Sequence, residues 1–441
     1  MKGHVDQVDR ATGEVRRVYT TEGEPDDTLL VACGSRRASV CRSCSTWYQW
    51  DAFHLVRAGL QGGKGLSETV VEHPKLFVTL TAPSCGAVHV RRVKGSKVLP
   101  CRPRDPEKRC VHGVPIGCRE RHGEKDAALG SPICLECFDY EGQVIWNAMA
   151  PKLWGRFRTY LPRELAAVMG LSQAELGRVV KLRMVKVGEY QRRGAIHFHA
   201  VIRIDAAPPE GEPNAVAPPP AEFTVAELEK AVRAARASAV VDCPELAALG
   251  RTDTSIRWGH EIDVRAIRGG GPGELSNEVV AAYVAKYATK FSEALGLPQR
   301  ALSDEDNVDD LKAPEHVKRL VWAAVVLGAK EEMAGLKLRE HAHGLGFGGQ
   351  FLTKSRAYST TMGELRRVRR EYQRCQVAGD QGEVLDAWGR PEDESLVEVK
   401  ASWRYAGWGY LSHGEAWMAS AAAARARERR RIGREELAQV A

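Results

Sequence analysis

The sequence predicts an α+β protein with an antiparallel sheet at its core and helices flanking it. Three observations support this fold class. Residues 182–204 contain two β-type runs around a tight turn, which is typical of a hairpin. The apolar, β-branched run at 75–81 and the alternating run at 255–267 suit further strands of the sheet. Helical spacing of apolar residues over 142–161 and 274–292 predicts the flanking helices.

The hairpin brings two histidines to one face of the sheet. Strand side chains alternate between faces, so His197 and His199 leave the same side of the returning strand. A three-residue turn that ends at Gly194, which supplies a positive φ, places Glu189 directly opposite His197. A two-residue turn would instead move Glu189 to the other face. We predict the three-residue turn.

Two imidazoles and a carboxylate form a ligand set that suits a divalent cation. A His-x-His pair by itself is also common on a solvated strand face. In this chain the apolar run 200–202 continues a buried strand, which favours a position at the edge of the core. His197, His199 and Glu189 are therefore the predicted metal ligands.

A second functional stretch covers residues 274–292. Ser276 is a good helix cap, and Tyr283 and Tyr287 lie four residues apart, so both phenols share one helix face. Such a pair is often ordinary half-buried packing. Beside a metal site, however, a phenolate can attack a phosphodiester that the metal polarises. The nearby Lys286 would favour the ionised phenol.

Three short motifs carry a resemblance to a known family. FVTLT (77–81), HFH (197–199) and YVAKYATK (283–290) resemble, in order, the motifs of HUH endonucleases, the nicking initiators of rolling-circle replication. The longer strings HPKLFVTLTAPS, GAIHFHAVIRID and LGFGGQFLTKSRAYSTT are similar to RepSA-like initiators of actinobacterial plasmids and integrative elements. The resemblance covers about residues 30–420. Cys85, which follows the first strand, stands where an aromatic residue is expected.

The resemblance implies cleavage of one DNA strand at a replication origin. It assigns Tyr287 as the nucleophile that bonds to the 5′ phosphate and frees a 3′ hydroxyl primer. Tyr283 would perform a second strand transfer, and Lys286 would support charge on the phenolate or phosphate. The predicted metal ligands would hold Mg²⁺ or Mn²⁺.

The implied partners are single-stranded or hairpin origin DNA, a host helicase and the replication machinery, since the sequence contains no helicase P-loop. Two alternatives stay open. One is a transposase or relaxase that uses the same chemistry in element transfer. The other is a zinc-containing DNA-binding regulator that cuts nothing, which would bind DNA without forming an adduct.

Composition agrees with a DNA-binding protein without establishing one. The chain has 441 residues and a formal net charge of +7, which suits a polyanionic partner. No apolar run is long enough to span a membrane, and the polar N-terminus differs from a secretion signal. We therefore expect a cytoplasmic protein.

The cysteines predict structural zinc. Two C-x-x-C pairs, Cys41 with Cys44 and Cys134 with Cys137, are expected to be the halves of one zinc ribbon. The remaining cysteines of the region, with His112 and His122 as substitutes, would supply a second tetrahedral site. The predicted zinc-binding cysteines are Cys33, Cys41, Cys44, Cys101, Cys110, Cys118, Cys134 and Cys137.

The sequence divides into four predicted parts. Residues 1–30 are expected to be a mobile arm. Residues 31–75 and 84–141 are expected to form the zinc-binding module, interleaved with the first nuclease strand. The nuclease core is expected at 76–83 and 142–295, with a linker-like excursion at 206–222. Residues 296–441 are expected to be a helical, basic DNA-binding region.

One glycine-rich stretch, 341–361, combines aromatic and basic residues. We predict that Lys354 and Arg356 contact phosphates and that Tyr358 stacks on unpaired bases, with Phe347 and Phe351 alongside. A packed irregular loop is the alternative.

Overall fold

The structure is a computed structural model of the 441-residue chain. It describes residues 1–103, 107–268, 275–290, 292–298, 300–303, 305–378, 385–391, 393, 395–407, 409–410, 412–421, 424, 425 and 428. The chain forms two compact units. The first unit comprises Met1–Ser35, Cys41–Thr46 and Met362–Ala441, and the second comprises Arg36–Val40 and Trp47–Thr361.

The strands are β1 (Lys2–Asp9), β2 (Val15–Thr20), β3 (Lys75–Leu80), β4 (Arg92–Lys94), β5 (Lys97–Leu99), β6 (Val180–Tyr190), β7 (Ile196–Ala206), β8 (Val240–Asp242), β9 (Ser255–Arg257), β10 (Ile262–Ala266), β11 (Leu352–Lys354) and β12 (Val397–Arg404). The helices are α1 (Arg42–Gln61), α2 (Tyr140–Met169), α3 (Gln173–Val179), α4 (Val225–Ser238), α5 (Asn277–Ala288), α6 (Glu315–Gly328) and α7 (Met362–Ala378). In the described part of the chain, every helix is too short or too polar to cross a bilayer.

A five-stranded antiparallel sheet organises the second unit. Its strand order is β10-β3-β7-β6-β11, and each neighbouring pair is antiparallel. The α+β class predicted from the sequence is confirmed. Because β11 completes the sheet, the core extends beyond residue 295, the predicted end of the nuclease core. The predicted boundary at residue 295 is therefore wrong. Nothing in the sequence indicated β11, because a three-residue strand is too short to show an alternating pattern.

The two faces of this sheet differ in what covers them. On one face the alternate residues Phe198, Ala200 and Ile202 of β7 are buried in the main hydrophobic cluster. The helix α2 packs against α4 and α6 and contributes Trp154, whose ring meets that of Phe198 edge-on at 6.0 Å. The other face carries the histidines and is approached by α5. One face therefore stabilises the sheet, while the other carries the predicted metal ligands.

The hairpin between β6 and β7 has the predicted register. Glu189 pairs with His197, Gly194 has φ +82°, and the amide of Gln191 donates to the carbonyl of Ala195 at 2.9 Å. The three-residue turn is confirmed. A Cβ at Gly194 would lie 2.4 Å from Leu320, so glycine is required there by space as well as by φ.

A buried asparagine holds the start of the returning strand. The side-chain amide of Asn147 on α2 donates to the carbonyls of Gly194 and Leu345, and its carbonyl oxygen accepts from the amide of Ile196 at 3.0 Å. Asn147 is completely buried. Since a buried amide without partners costs free energy, this arrangement favours one position of the hairpin over others.

The first unit contains a three-stranded sheet of order β12-β1-β2. The prediction of a mobile arm at residues 1–30 is therefore wrong, because β1 and β2 lie within it and both pair with neighbouring strands. The prediction of a helical region at 296–441 also needs correction, since it includes β11 and β12, and residues 431–441 lie outside the described residues. Residues 47–61 belong to α1 rather than to a zinc-binding module.

Because His316 is buried, we expect the free energy of unfolding to depend on pH. Burial lowers the pKa of His316 to about 4, and its Nε2–H donates to the carbonyl of Arg193 at 2.9 Å. Protonation is therefore disfavoured in the folded chain but not in the unfolded chain, whose histidine pKa is about 6.5. Stability is expected to fall as pH decreases from about 6.5 towards 4, with a loss of about 2 kcal/mol between pH 7 and 5.

Urea unfolding at pH 7 and pH 5 measures this loss. In His316→Gln, which keeps a donor for the Arg193 carbonyl but does not titrate in this range, the pH-dependent loss is expected to be smaller by that amount. An equal loss in both proteins would contradict the prediction.

Candidate active site and cysteine-histidine groups

Two histidines and a glutamate form a compact group on the functional face of the sheet, which we name the His–His–Glu group (Glu189, His197 and His199). Nε2 of His197 and Nε2 of His199 lie 3.2 Å and 3.0 Å from the same carboxylate oxygen of Glu189, and 3.2 Å from each other. Nδ1 of His199 lies 3.0 Å from the hydroxyl of Thr79 on β3. The three predicted metal ligands are thus brought together by adjacent strands.

The electrostatics of this group favour a bound cation. Burial alone would raise the pKa of Glu189, but hydrogen bonds to His197 and His199 lower it to about 2. Burial lowers the pKa of His199, which favours the neutral imidazole. An ionised carboxylate beside a neutral imidazole is the protonation state in which these side chains bind metals.

The tyrosine pair (Tyr283 and Tyr287) lies directly over the His–His–Glu group. Helix α5 begins after Ser276, whose hydroxyl accepts from the amide of Val279 at 3.2 Å. The hydroxyl of Tyr283 lies 3.1 Å from Nε2 of His199 and 3.3 Å from Glu189. The rings of Tyr283 and Tyr287 lie 4.6 Å apart. Both predicted nucleophiles are therefore next to the predicted metal ligands.

The ring of Phe77 on β3 packs under this arrangement. It stacks on His199 at 5.7 Å with an interplanar angle of 1°, and it meets Tyr283 edge-on at 5.6 Å. Phe77 lies in the FVTLT stretch, but its contact with these two predicted site residues was not predicted. The signal was available, because Phe77 and Thr79 are two residues apart and so share the face that Thr79 shares with His199.

The phenols are held in their neutral form. Burial raises the pKa of Tyr283, and the charge of Glu189 raises it further. Burial and the same charge raise the pKa of Tyr287. The ammonium groups of Lys286 and Lys290 lie 5.4 Å and 4.8 Å from the ring centroid of Tyr287. Positive charge near Glu189 and Tyr287 would shift the balance towards the phenolate.

Most of the cysteines among the described residues fall into three groups, two of which also contain histidines. The Cys33 group contains Cys33, Cys41 and Cys44; the Cys110 group contains Cys110, His112, Cys134 and Cys137; the His89 group contains His89, Cys101, Cys118 and His122. Within each group the ligand atoms lie within 4.8 Å of one another. The predicted ribbon of two C-x-x-C pairs is wrong, because the two pairs belong to different groups.

The histidines of these groups were predicted only in part. His112 and His122 are predicted as substitutes in one shared site, but each belongs to its own group. His89 was missed, because it lies far from the C-x-x-C pairs and has no ligand spacing around it. Only the fold brings residue 89 beside residue 122.

The predicted base-stacking role of Tyr358 is wrong. Its ring is completely buried, its hydroxyl donates to the carbonyl of Val56 at 3.3 Å, and the guanidinium of Arg203 lies 5.3 Å from its centroid. Phe347 and Phe351 are also buried. A buried ring cannot stack on a base, so the alternative of a packed loop holds for these aromatics.

The two basic residues of the same stretch differ from each other. The ammonium of Lys354 donates to the carbonyls of Arg356 and Ser359 at 2.8 Å and 2.9 Å, and burial lowers its pKa. Lys354 thus supports the local backbone and is a poor candidate for phosphate contact. Arg356 is exposed and remains a candidate.

The fold and the site define a class of protein: an α+β protein whose antiparallel sheet joins a candidate metal site to a tyrosine pair. Comparison with known proteins is more specific. The RepSA family model, described as "Replication initiator protein, pSAM2", matches residues 1–424. The chain therefore belongs to the RepSA family of replication initiators.

Two further comparisons bear on this assignment. A curated replication initiator protein of Streptomyces ambofaciens is 40% identical over 430 residues, which cover 97% of this chain and 86% of that protein. No solved structure matches the chain. The assignment to replication initiation thus rests on similarity of sequence over nearly the whole length.

Proposed function

We propose that this replication initiator is an HUH-type endonuclease that nicks one strand of origin DNA to start rolling-circle replication. One observation carries the proposal: the hydroxyl of Tyr283 lies 3.1 Å from His199 and 3.3 Å from Glu189. A phenolic nucleophile and metal ligands must share one patch, because the attacked phosphate has to meet both.

The His–His–Glu group fits one Mg²⁺ or Mn²⁺ ion. Its ligand atoms lie 3.0–3.2 Å apart, and hydrogen bonding keeps Glu189 ionised. A bound ion would supply Lewis-acid stabilisation of the charge that develops on the scissile phosphate. With a metal ion bound, Nδ1–H of His199 would donate to the hydroxyl of Thr79, 3.0 Å away, so that Nε2 would offer its lone pair to the ion in place of its hydrogen bond to Glu189.

Tyr287 attacks first in this proposal. Its phenolic oxygen bonds to phosphorus and loses its proton to solvent, while the bond from phosphorus to the 3′ oxygen breaks and the 3′ oxygen takes up a proton. The phosphodiester is retained as a tyrosine ester, so a later strand transfer needs no ATP. Lys286, whose ammonium lies 5.4 Å from the Tyr287 ring, favours the phenolate. Tyr283 serves as the nucleophile of the second transfer.

The proposed partner is origin DNA in single-stranded or hairpin form, with unwinding supplied by a host helicase and synthesis by the host replication machinery. Arg356 is the exposed basic residue proposed to contact its backbone.

An adduct assay tests the proposed function. Labelled single-stranded oligonucleotides that tile the element's origin region are incubated with the protein and Mn²⁺, and the products are separated under denaturing conditions. One oligonucleotide is expected to give a covalent protein–DNA adduct and a released fragment with a 3′ hydroxyl. Tight binding to origin DNA without any adduct would instead identify a non-catalytic DNA-binding regulator.

We further propose that the Cys33 and Cys110 groups hold Zn²⁺ as a structural ion. In the Cys110 group, burial would raise the pKa of Cys110, but hydrogen bonds from the backbone amides of His112 and Val114 help to lower it to about 6. The thiolate, which is the metal-binding form, is then favoured at neutral pH. The Cys110 group thus offers four ligands, three cysteines and one histidine, which is a common set in structural zinc sites.

Zinc removal is expected to destabilise the protein. Treatment with a zinc chelator should lower the midpoint of thermal unfolding by about 5 °C or more, because binding free energy at a structural site contributes to folding. Adding Zn²⁺ should restore the midpoint, whereas adding Mg²⁺ should not. The measurements are differential scanning fluorimetry and elemental analysis. A protein purified without chelator that contains no zinc would contradict the proposal.

A further inference from the structure

The His89 group is a set of two imidazoles and two thiols at the base of a loop. Nδ1 of His89 lies 3.1 Å from Nε2 of His122, and Sγ of Cys118 lies 3.6 Å from the same nitrogen. Cys101 and His122 are almost completely buried. The backbone amide of Val90 donates to Sγ of Cys101 at 3.2 Å. These contacts match the chemistry of a tetrahedral zinc site.

A carboxylate orients one of the imidazoles. Oδ2 of Asp126 lies 2.6 Å from Nδ1 of His122, and its Oδ1 accepts from the backbone amide of Ala128 at 2.9 Å. With Nδ1–H donated to Asp126, Nε2 of His122 presents its lone pair to His89 and Cys118. A carboxylate behind a histidine is the usual partner of a metal-binding imidazole.

The loop of residues 122–130, which includes His122 and Asp126, also contacts the tip of the hairpin that carries the His–His–Glu group. The guanidinium of Arg192 donates to the carbonyl of Glu124 at 2.6 Å and to the carbonyl of Asp126 at 3.3 Å. At Gly130, a Cβ would lie 2.5 Å from the backbone of Arg192, so the loop and the tip are in close contact. Arg192 lies three residues after Glu189 and five before His197.

We propose that His89, Cys101, Cys118 and His122 bind one Zn²⁺ ion, and that this ion, through Asp126 and Arg192, fixes the tip of the catalytic hairpin. The loop of residues 122–130 thus supports the strands that carry the His–His–Glu group. Asp126 and Arg192 are positioning residues, because they act through His122 and the hairpin and touch no substrate. Zinc content and hairpin mobility can both be measured without DNA, so a failure of the proposed DNA cleavage would not affect these tests.

Metal analysis tests the site. In full-length protein, Cys118→Ser and His122→Asn are each expected to lower the zinc content by one equivalent per chain, and Asp126→Asn is expected to weaken zinc retention against a chelator by about 10- to 100-fold. Cys85→Ser, at a partly buried cysteine outside the three groups, is the matched control and should keep all its zinc. With Co²⁺ as the probe, His122→Asn should lose one tetrahedral absorption component. Unchanged zinc content in His122→Asn, with the fold retained, would overturn the site.

Hydrogen exchange tests the link to the hairpin. Amides of residues 190–196 are expected to exchange at least about 10-fold faster in Asp126→Asn and in Arg192→Ala than in the wild type, since local opening becomes easier. Arg192→Ala should keep its zinc, which separates support of the tip from binding of the ion. Cys110→Ser, which removes a ligand of the Cys110 group, is the control for loss of zinc elsewhere. Unchanged exchange at the tip in both test variants would overturn the supporting role.

Discussion

Tyr287→Phe is expected to reduce the yield of the covalent protein–DNA adduct by roughly 10³-fold or more, because it keeps the ring and removes the attacking oxygen. The ring packs 4.6 Å from that of Tyr283 and beside Lys290, and phenylalanine preserves this packing. Tyr283→Phe is expected to keep the first cleavage and to lose the second strand transfer. Both are measured in single-turnover reactions with a labelled origin oligonucleotide.

Tyr160→Phe provides the matched control. Tyr160 is a partly buried tyrosine on α2 whose ring lies 5.2 Å from the guanidinium of Arg163, and it takes no part in the site. Its loss should leave the adduct yield unchanged. If Tyr283→Phe abolishes the first cleavage while Tyr287→Phe does not, the order of the two nucleophiles is reversed. Wild-type yield in the double variant would refute tyrosine attack altogether.

Glu189→Gln is expected to lower the rate of cleavage by roughly 10²- to 10⁴-fold and to weaken Mn²⁺ binding by at least about 10-fold. The reason is that a neutral amide replaces the ionised carboxylate, which contacts both His197 and His199. The substitution conserves shape, and the amide can still bond to the imidazoles, so the fold should persist. Mn²⁺ affinity is measured by calorimetry and cleavage by the oligonucleotide assay.

The control for this charge change is Glu229→Gln on α4, where the partly exposed glutamate pairs with Arg233. It should alter neither Mn²⁺ affinity nor cleavage. Cleavage at the wild-type rate by Glu189→Gln, with the hairpin intact, would remove Glu189 from the metal site.

The hairpin site was predictable because its rules are local. Side chains alternate along a strand, and Gly194 indicates the turn that sets the register, so the pairing of Glu189 with His197 follows from a short segment. The helical spacing of Tyr283 and Tyr287 is equally local. That α5 lies over this face of the sheet does not follow from spacing, and the resemblance to a known family supplied it.

The failed predictions depend on distant contacts. Cysteine pairing is decided by where loops meet, so residue 89 beside residue 122 could not be read from spacing. Tyr358 looked available for stacking, but it packs against Gly59 of α1, where any Cβ would lie 2.2 Å from its ring. An aromatic residue in a glycine-rich stretch gives no sign of whether a helix from elsewhere covers it.

The pairing of β1 with β12 has a consequence for how the protein is made. Lys2 pairs with Arg404, so β1 leaves the ribosome long before its neighbour β12 is synthesised. Until then one edge of β1 is open to other strands, which is a hazard for aggregation. Nascent chains that stall before Val397, or proteins truncated there, would keep that edge exposed and should be the insoluble ones.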